Sequence, residues 1–116
     1  MKQTFLILFF IIFAFSNNLH GQNQMELNFE AKAKYEKSDA ELNKTYKKLM
    51  GLLDSKFKKR LTETQRIWLK FRDSTCDFES DQYEGGSIQP LIYFNCLENQ
   101  TQKRIEDLKN NLTYFN

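Results

Sequence analysis

Residues 76–96 read CDFESDQYEGGSIQPLIYFNC, with Gly85-Gly86 at the middle, Cys76 ten residues before Gly86 and Cys96 ten residues after it. Adjacent glycines break a helix, Ser87 offers an N-cap, and Pro90 is tolerated in a first turn, where N–H groups have no intrahelical partner. The segment predicts two helices joined by a short turn. In an antiparallel hairpin, positions equidistant from the turn stand at equal height, here about 15 Å away at 1.5 Å rise per residue. Cys76 and Cys96 can therefore meet across the seam if both face it.

The chain on either side continues the helical pattern. Upstream, Trp68, Phe71, Thr75 and Phe78 recur at three to four residues and predict the inward stripe of a second helix that runs to about Tyr83. Thr62 followed by Gln65 fits a capping box at its start, with Leu61 as the preceding hydrophobic staple. Four of the six residues from Ser55 to Arg60 are basic, which suits the end of an earlier helix. That first helix spans Glu26 to Phe57, where Tyr35, Leu42 and Leu49 repeat every seven residues and Tyr46 and Leu53 form a second row. Downstream, Ile92, Cys96, Ile105, Leu108 and Leu112 define a third helix, about Ile88 to Leu112. Strands are not indicated, because the chain has no valine and only four isoleucines after Gly21. The fold class expected is all-α, a three-helix antiparallel bundle with one disulfide joining helices 2 and 3.

Residues 1–21 read differently. Lys2 is followed by an unbroken apolar run from Phe5 to Phe15, 11 residues long, which ends at Ser16, Asn17 and Asn18. A membrane-spanning helix needs roughly 20 such residues, so the segment reads as a cleavable signal peptide, cut after Gly21 or after Ser16. Residues 22–116 then form one exported helical domain, periplasmic or extracellular, with no transmembrane segment and no cysteine near the cut for a lipid anchor. Export favours pairing of Cys76 with Cys96. Two cysteines without histidine make a poor zinc site, and a redox pair is more commonly C-x-x-C. Closing a loop of this length contributes about 3 kcal/mol in the chain-entropy account.

Composition narrows function by exclusion. Of 116 residues, 41% are hydrophobic, but 13 of those lie in residues 1–21, so the remaining domain is polar and its core small. The only histidine, His20, is also there, which leaves the domain without Ser/His/Asp triads, Cys/His dyads or histidine metal sites. No cofactor and no metal are expected. A net charge of +2 does not mark a nucleic-acid binder. Asp77 and Asp81 stand one helical turn apart, but any helix with acids at that spacing would qualify as a carboxylate pair. The chain reads as a non-enzyme.

Three strings together resemble a known family. They are Asp39-Ala40-Glu41-Leu42-Asn43 followed by Tyr46 and Leu49; Gln65-Arg66, Trp68, Arg72-Asp73 and Cys76, in the pattern Q-R-x-W-x-x-x-R-D-x-x-C; and Gly85-Gly86-Ser87, Cys96, Thr101, Arg104 and Leu108. In order and spacing they resemble the LprI-like family of exported bacterial proteins, over essentially the whole chain after residue 21. The resemblance implies a lysozyme inhibitor that acts by protein–protein binding. Two features depart from it: many relatives carry a further cysteine pair near the start of the first helix, where this chain has Met25 to Glu30, and the inhibitor that names the family is lipid-anchored. Gln65, Trp68, Arg72, Asp73, Thr101 and Arg104 are read as structural, with Trp68 and Arg72 placed at i, i+4 for a cation–π contact.

Charge is strongly segregated. Lys32 to Arg60 holds ten basic and four acidic residues, whereas Asp73 to Gln102 holds six acids and no Lys or Arg. Acids at the end of a helix oppose its dipole at a cost of some tenths of a kcal/mol each, and an acidic surface speeds association with a cationic partner. Asp77, Glu79, Asp81, Glu84, Gly85, Gly86 and Ser87 are the candidate binding residues, with a cationic lysozyme or other muramidase as the partner. The alternative is an envelope-associated structural or polymer-binding protein without lysozyme inhibition, in which the lysine-rich first helix meets an anionic polymer or membrane surface.

Overall fold

The computed structural model describes residues 2–116, with side chains from Asn23 onward. The signal peptide expected at residues 1–21 lies outside the residues whose side chains are described. Three helices follow one another: α1 (Lys2–Met50), α2 (Ser55–Asp81) and α3 (Gln89–Phe115). Among the described residues there is no strand, and no helix is long and apolar enough to cross a membrane. Consecutive helices run antiparallel, so α1 and α3 point the same way. The central element is α3, against which both α1 and α2 pack. The expected antiparallel three-helix bundle is the fold observed.

The Cys76–Cys96 disulfide joins α2 to α3 with a Cα–Cα distance of 5.5 Å. The register it sets is kept along the whole seam: Arg72 meets Thr101, Gln65 meets Arg104, and Phe57 stacks edge-on against Phe115 with centroids 5.5 Å apart. Two apolar clusters fill the bundle. Leu42, Leu49, Leu53, Ile105 and Leu108 form the larger, with Tyr46, Leu61, Trp68 and Leu112 packed against it. Cys76, Cys96 and Leu97 form the smaller, beside Tyr35, Tyr93 and Phe94. The rows read from the sequence for the first helix thus point inward as expected, with Leu42 and Leu49 buried and Tyr35 and Tyr46 half-buried in α1, and Leu53 buried in the turn that follows it.

Three local expectations are corrected. First, α1 ends at Met50, and the chain turns through Gly51 to Asp54, where Gly51 N–H still donates to Lys47 O at 3.1 Å. The N-cap of α2 is Asp54, whose carboxylate accepts from Phe57 N–H at 2.9 Å. Thr62 and Gln65 therefore form no capping box. Thr62 lies inside α2 and its hydroxyl donates to Lys58 O at 2.8 Å, the i−4 back-bond open to a threonine in mid-helix. An aspartate outranks threonine as a cap. The basic residues Lys56 to Arg60 consequently open α2, against its dipole, rather than closing α1.

Second, Phe71 and Phe78 do not join the core; they are 58% and 72% exposed. The face of α2 that points inward is Leu61, Gln65, Trp68, Arg72, Cys76 and Ser80. That face is mixed in polarity, and the disulfide orients it: with Cys76 locked toward α3, Phe78 is carried to the opposite side. Third, Ser87 does not cap α3. Ile88 occupies the N-cap position without a side-chain hydrogen bond, and the helix runs on to Phe115, with Pro90 in its first turn as expected.

Candidate functional site

The α2–α3 turn is built by short-range hydrogen bonds. Tyr83 N–H donates to Ser80 O at 2.9 Å, Glu84 N–H to Asp81 O at 3.1 Å, and Gly86 N–H to Tyr83 O at 2.9 Å. Gly85 takes φ of +78°, a left-handed conformation that side chains disfavour. At Gly86 a Cβ would stand 3.1 Å from Tyr83 O, so this second glycine answers a close backbone approach. The turn is also tied to α1, because Asn28 Nδ2 donates to Ser87 O at 3.0 Å. The turn is thus held from α1 as well as by the disulfide beneath it.

Asp77, Glu79, Asp81, Glu84, Gly85, Gly86 and Ser87 are all exposed. The structure separates the other two acids of the stretch from this group. Asp73 accepts from Arg72 Nε at 2.9 Å, and Glu98 accepts from the Ser38 hydroxyl at 3.2 Å, facing α1. Asp77 and Asp81 share a surface groove of about 290 Å³ with Ser80, Gln89, Pro90, Tyr93 and Phe94. Tyr93 and Phe94 rings meet edge-to-face at 5.4 Å. Burial, followed by the negative field of Asp73 and Asp77, holds the Tyr93 phenol above its ordinary pKa, so it is neutral. Two carboxylates beside aromatic rings can receive a lysine or arginine side chain, pairing its charge and stacking its stem or guanidinium. Glu79 and Glu84 contribute charge around the turn but do not line this groove.

Tyr93, Phe94, Pro90 and Asn28 belong to the site and were not selected from the sequence. A usable signal was present for one of them: Tyr93 lies three residues before Cys96, so the disulfide fixes its side of α3 beside Asp77, one residue after Cys76. Nothing local marks Asn28, whose partner is 59 residues away.

The signature residues come together elsewhere, between the two apolar clusters. Arg72 is only 6% exposed. Its guanidinium lies 5.2 Å from the Trp68 ring centre and 5.5 Å from that of Tyr35. It also donates to Thr101 Oγ1 at 3.4 Å and to Asp39 Oδ1 at 3.5 Å, besides Asp73. Arg104 covers the same Trp68 ring at 5.7 Å and donates from Nε to Gln65 Oε1 at 2.9 Å. Burial draws the Arg104 guanidinium below its ordinary pKa, an effect that Asp107 opposes. The expected Trp68–Arg72 contact is present, and among the described residues no buried side-chain polar atom lacks a hydrogen-bond partner. The Arg72 guanidinium is buried at the centre of this network, whereas the carboxylates of Asp39 and Asp73 reach the surface.

Comparison with known proteins adds the following. The chain is 35% identical over 100 residues to an uncharacterised protein of Rhizobium meliloti, a match that takes in 75% of this chain and 72% of the relative. The crystal structure of a DUF1311 family protein from Pseudomonas putida superposes with a TM-score of 0.66 at 18% identity, covering 73% of this chain and 89% of that one, and so shares its fold. A family model described as lysozyme inhibitor LprI matches residues 16–108. With its fold, its disulfide and its Gln65 to Cys76 signature assembled as described, the chain belongs to the LprI family.

Proposed function

We propose that this protein is an exported, non-catalytic inhibitor that binds a cationic lysozyme or other muramidase through the acidic end of its α2–α3 hairpin. The observation that carries the reading is the groove in which Asp77 and Asp81 stand beside Tyr93 and Phe94, next to a turn held by the disulfide and by Asn28, with Glu79 and Glu84 exposed near the same end of the hairpin. Five exposed acids, Asp73, Asp77, Glu79, Asp81 and Glu84, with no Lys or Arg from Asp73 to Gln102, create a local negative field. That field accelerates encounter with a basic enzyme, and the groove supplies one site for a protruding Lys or Arg of that enzyme. Preorganisation matters because every loop residue ordered on binding subtracts from affinity. Membership of a family described by lysozyme inhibition points to the partner class.

The test is a titration of the oxidised protein into a panel of lysozyme types while muramidase activity is followed. Inhibition of at least one type is expected, weakening steeply as salt rises from about 0.05 to 0.5 M, over which screening shortens severalfold in range. Charge reversal of Asp77, Glu79 and Asp81 to Lys should abolish it. Inhibition that survives the reversal would remove the acidic end from the mechanism, and no inhibition of any type at micromolar protein would remove the function.

A further inference from the structure

Ile67, Phe71 and Phe78 are 70%, 58% and 72% exposed, and their spacing of four and seven puts them on one face of α2, opposite the face that carries Cys76. Ser74 lies between them on that face. A single exposed apolar residue needs no explanation, but three large ones aligned on a helix form a contiguous patch of the kind that marks an interface. None of the three joins either apolar cluster of the fold.

Charge along the same helix is antisymmetric about this patch. The chain from Lys56 to Lys70 carries Lys56, Lys58, Lys59, Arg60, Arg66 and Lys70 against Glu63 alone. From Asp73 to Glu84 the order is reversed, with five acids and, after Arg72, no cation. Such a helix is complementary to itself only when it is turned end for end. Parallel alignment would set like charges side by side.

We propose that the outward face of α2 is a self-association surface, on which a second copy of this chain packs antiparallel about a two-fold axis near residues 72 and 73. In that register Ile67 lies opposite Phe78 of the second copy, Phe71 opposite the small Ser74, and Arg60 opposite Asp81 and Glu84. A two-fold interface repeats each contact, so one sequence supplies both the apolar seam and two flanking sets of ion pairs. The seam from Arg60 to Asp81 is about 32 Å long at 1.5 Å per residue. Tyr93 and the Asp77 side of the acidic groove lie on the flank of α2 toward α3, so each copy keeps that part of its groove open, and the dimer does not depend on the inhibitory reading.

Sedimentation velocity of the disulfide-closed protein from about 1 to 300 µM tests the proposal, and a reversible dimer is expected. Phe71→Ser and Phe78→Ser replace exposed side chains, so the bundle should keep its helicity and melting temperature while dimerisation weakens at least about tenfold, as for central apolar interface anchors. Arg60→Glu should weaken it and raise its salt sensitivity, and the exchange pair Arg60→Glu with Asp81→Arg should restore it. A monomer throughout the range would overturn the proposal, as would a dimer indifferent to both phenylalanine variants. A dimer weakened by the serine variants but not by Arg60→Glu, or not restored by the exchange, would overturn the antiparallel arrangement.

Discussion

Arg72 brings a full positive charge to a position 6% exposed, with two aromatic rings and three oxygen acceptors around it. A buried charge of this kind is stabilising only while its partners are complete. Substitution by Ala removes the cation over Trp68 and Tyr35 and leaves Thr101 without its donor, so a loss of about 2 to 4 kcal/mol is expected in urea unfolding. Arg72→Lys should also destabilise, because an ammonium cannot match the planar guanidinium in both stacking and hydrogen bonding. The tyrosines on either side set a limit at alkaline pH. Burial raises the pKa of Tyr35, partly opposed by Arg72, and burial together with Asp73 and Asp77 raises that of Tyr93. Their folded-state pKa values exceed the unfolded value of about 10. The associated stability is complete below pH 10 and is lost above it, where the unfolded chain releases phenolic protons that the native state retains. Melting temperature followed from pH 8 to 11 should fall beyond pH 10, less steeply in a Tyr35→Phe, Tyr93→Phe double variant.

At the scale of elements, helix boundaries follow from a competition between caps. Asp54 holds the first turn of α2 while Thr62 is spent on an i−4 back-bond. Asp54→Ala should cost about 1 kcal/mol. Thr62→Ala should stay within about 0.5 kcal/mol, since alanine is the better helix former at an interior position; equal losses would reinstate Thr62 as a cap. The α2–α3 pair depends on its covalent link. For a core whose buried apolar side chains number nine among the described residues, about 3 kcal/mol from loop closure is a large share of stability. Excess reductant, or paired Cys76→Ala and Cys96→Ala, should lower the melting temperature by more than about 10 °C. Helix number, order and the α2–α3 register were all legible from the sequence, because period, glycine breaks and cysteine spacing are local signals. The α2 inner face was not, because Trp68, Phe71, Thr75 and Phe78 satisfy helical period as well as the true row does. Choosing between two rows requires knowing where α3 lies.

Over the whole molecule, near-neutral net charge conceals two ends of opposite sign. Lys47, Lys48 and Lys56 to Arg60 gather where α1 ends and α2 begins, and the acids gather at the α2–α3 turn. Such a dipole orients the protein before contact. If the partner is the cationic muramidase proposed above, its association should slow as salt rises, with the change mainly in on-rate. Reversal of Asp77 and Asp81 alone should reproduce much of the slowing, measured by stopped-flow or surface binding.

What the sequence determined by itself was every property carried by short spacing or by simple composition: the helical class, the disulfide, the charge segregation, and the residue types of the acidic turn. The tertiary structure alone decided the buried face of α2 and the contacts between distant residues. Asn28 reaches Ser87, Tyr93 joins Asp77 in one groove, Arg72 closes a network drawn from all three helices, and Phe71 and Phe78 are left to solvent. The reason is geometric. A helix specifies its own periodicity within a few residues, but the rotation that chooses its buried face is set by partners dozens of residues away.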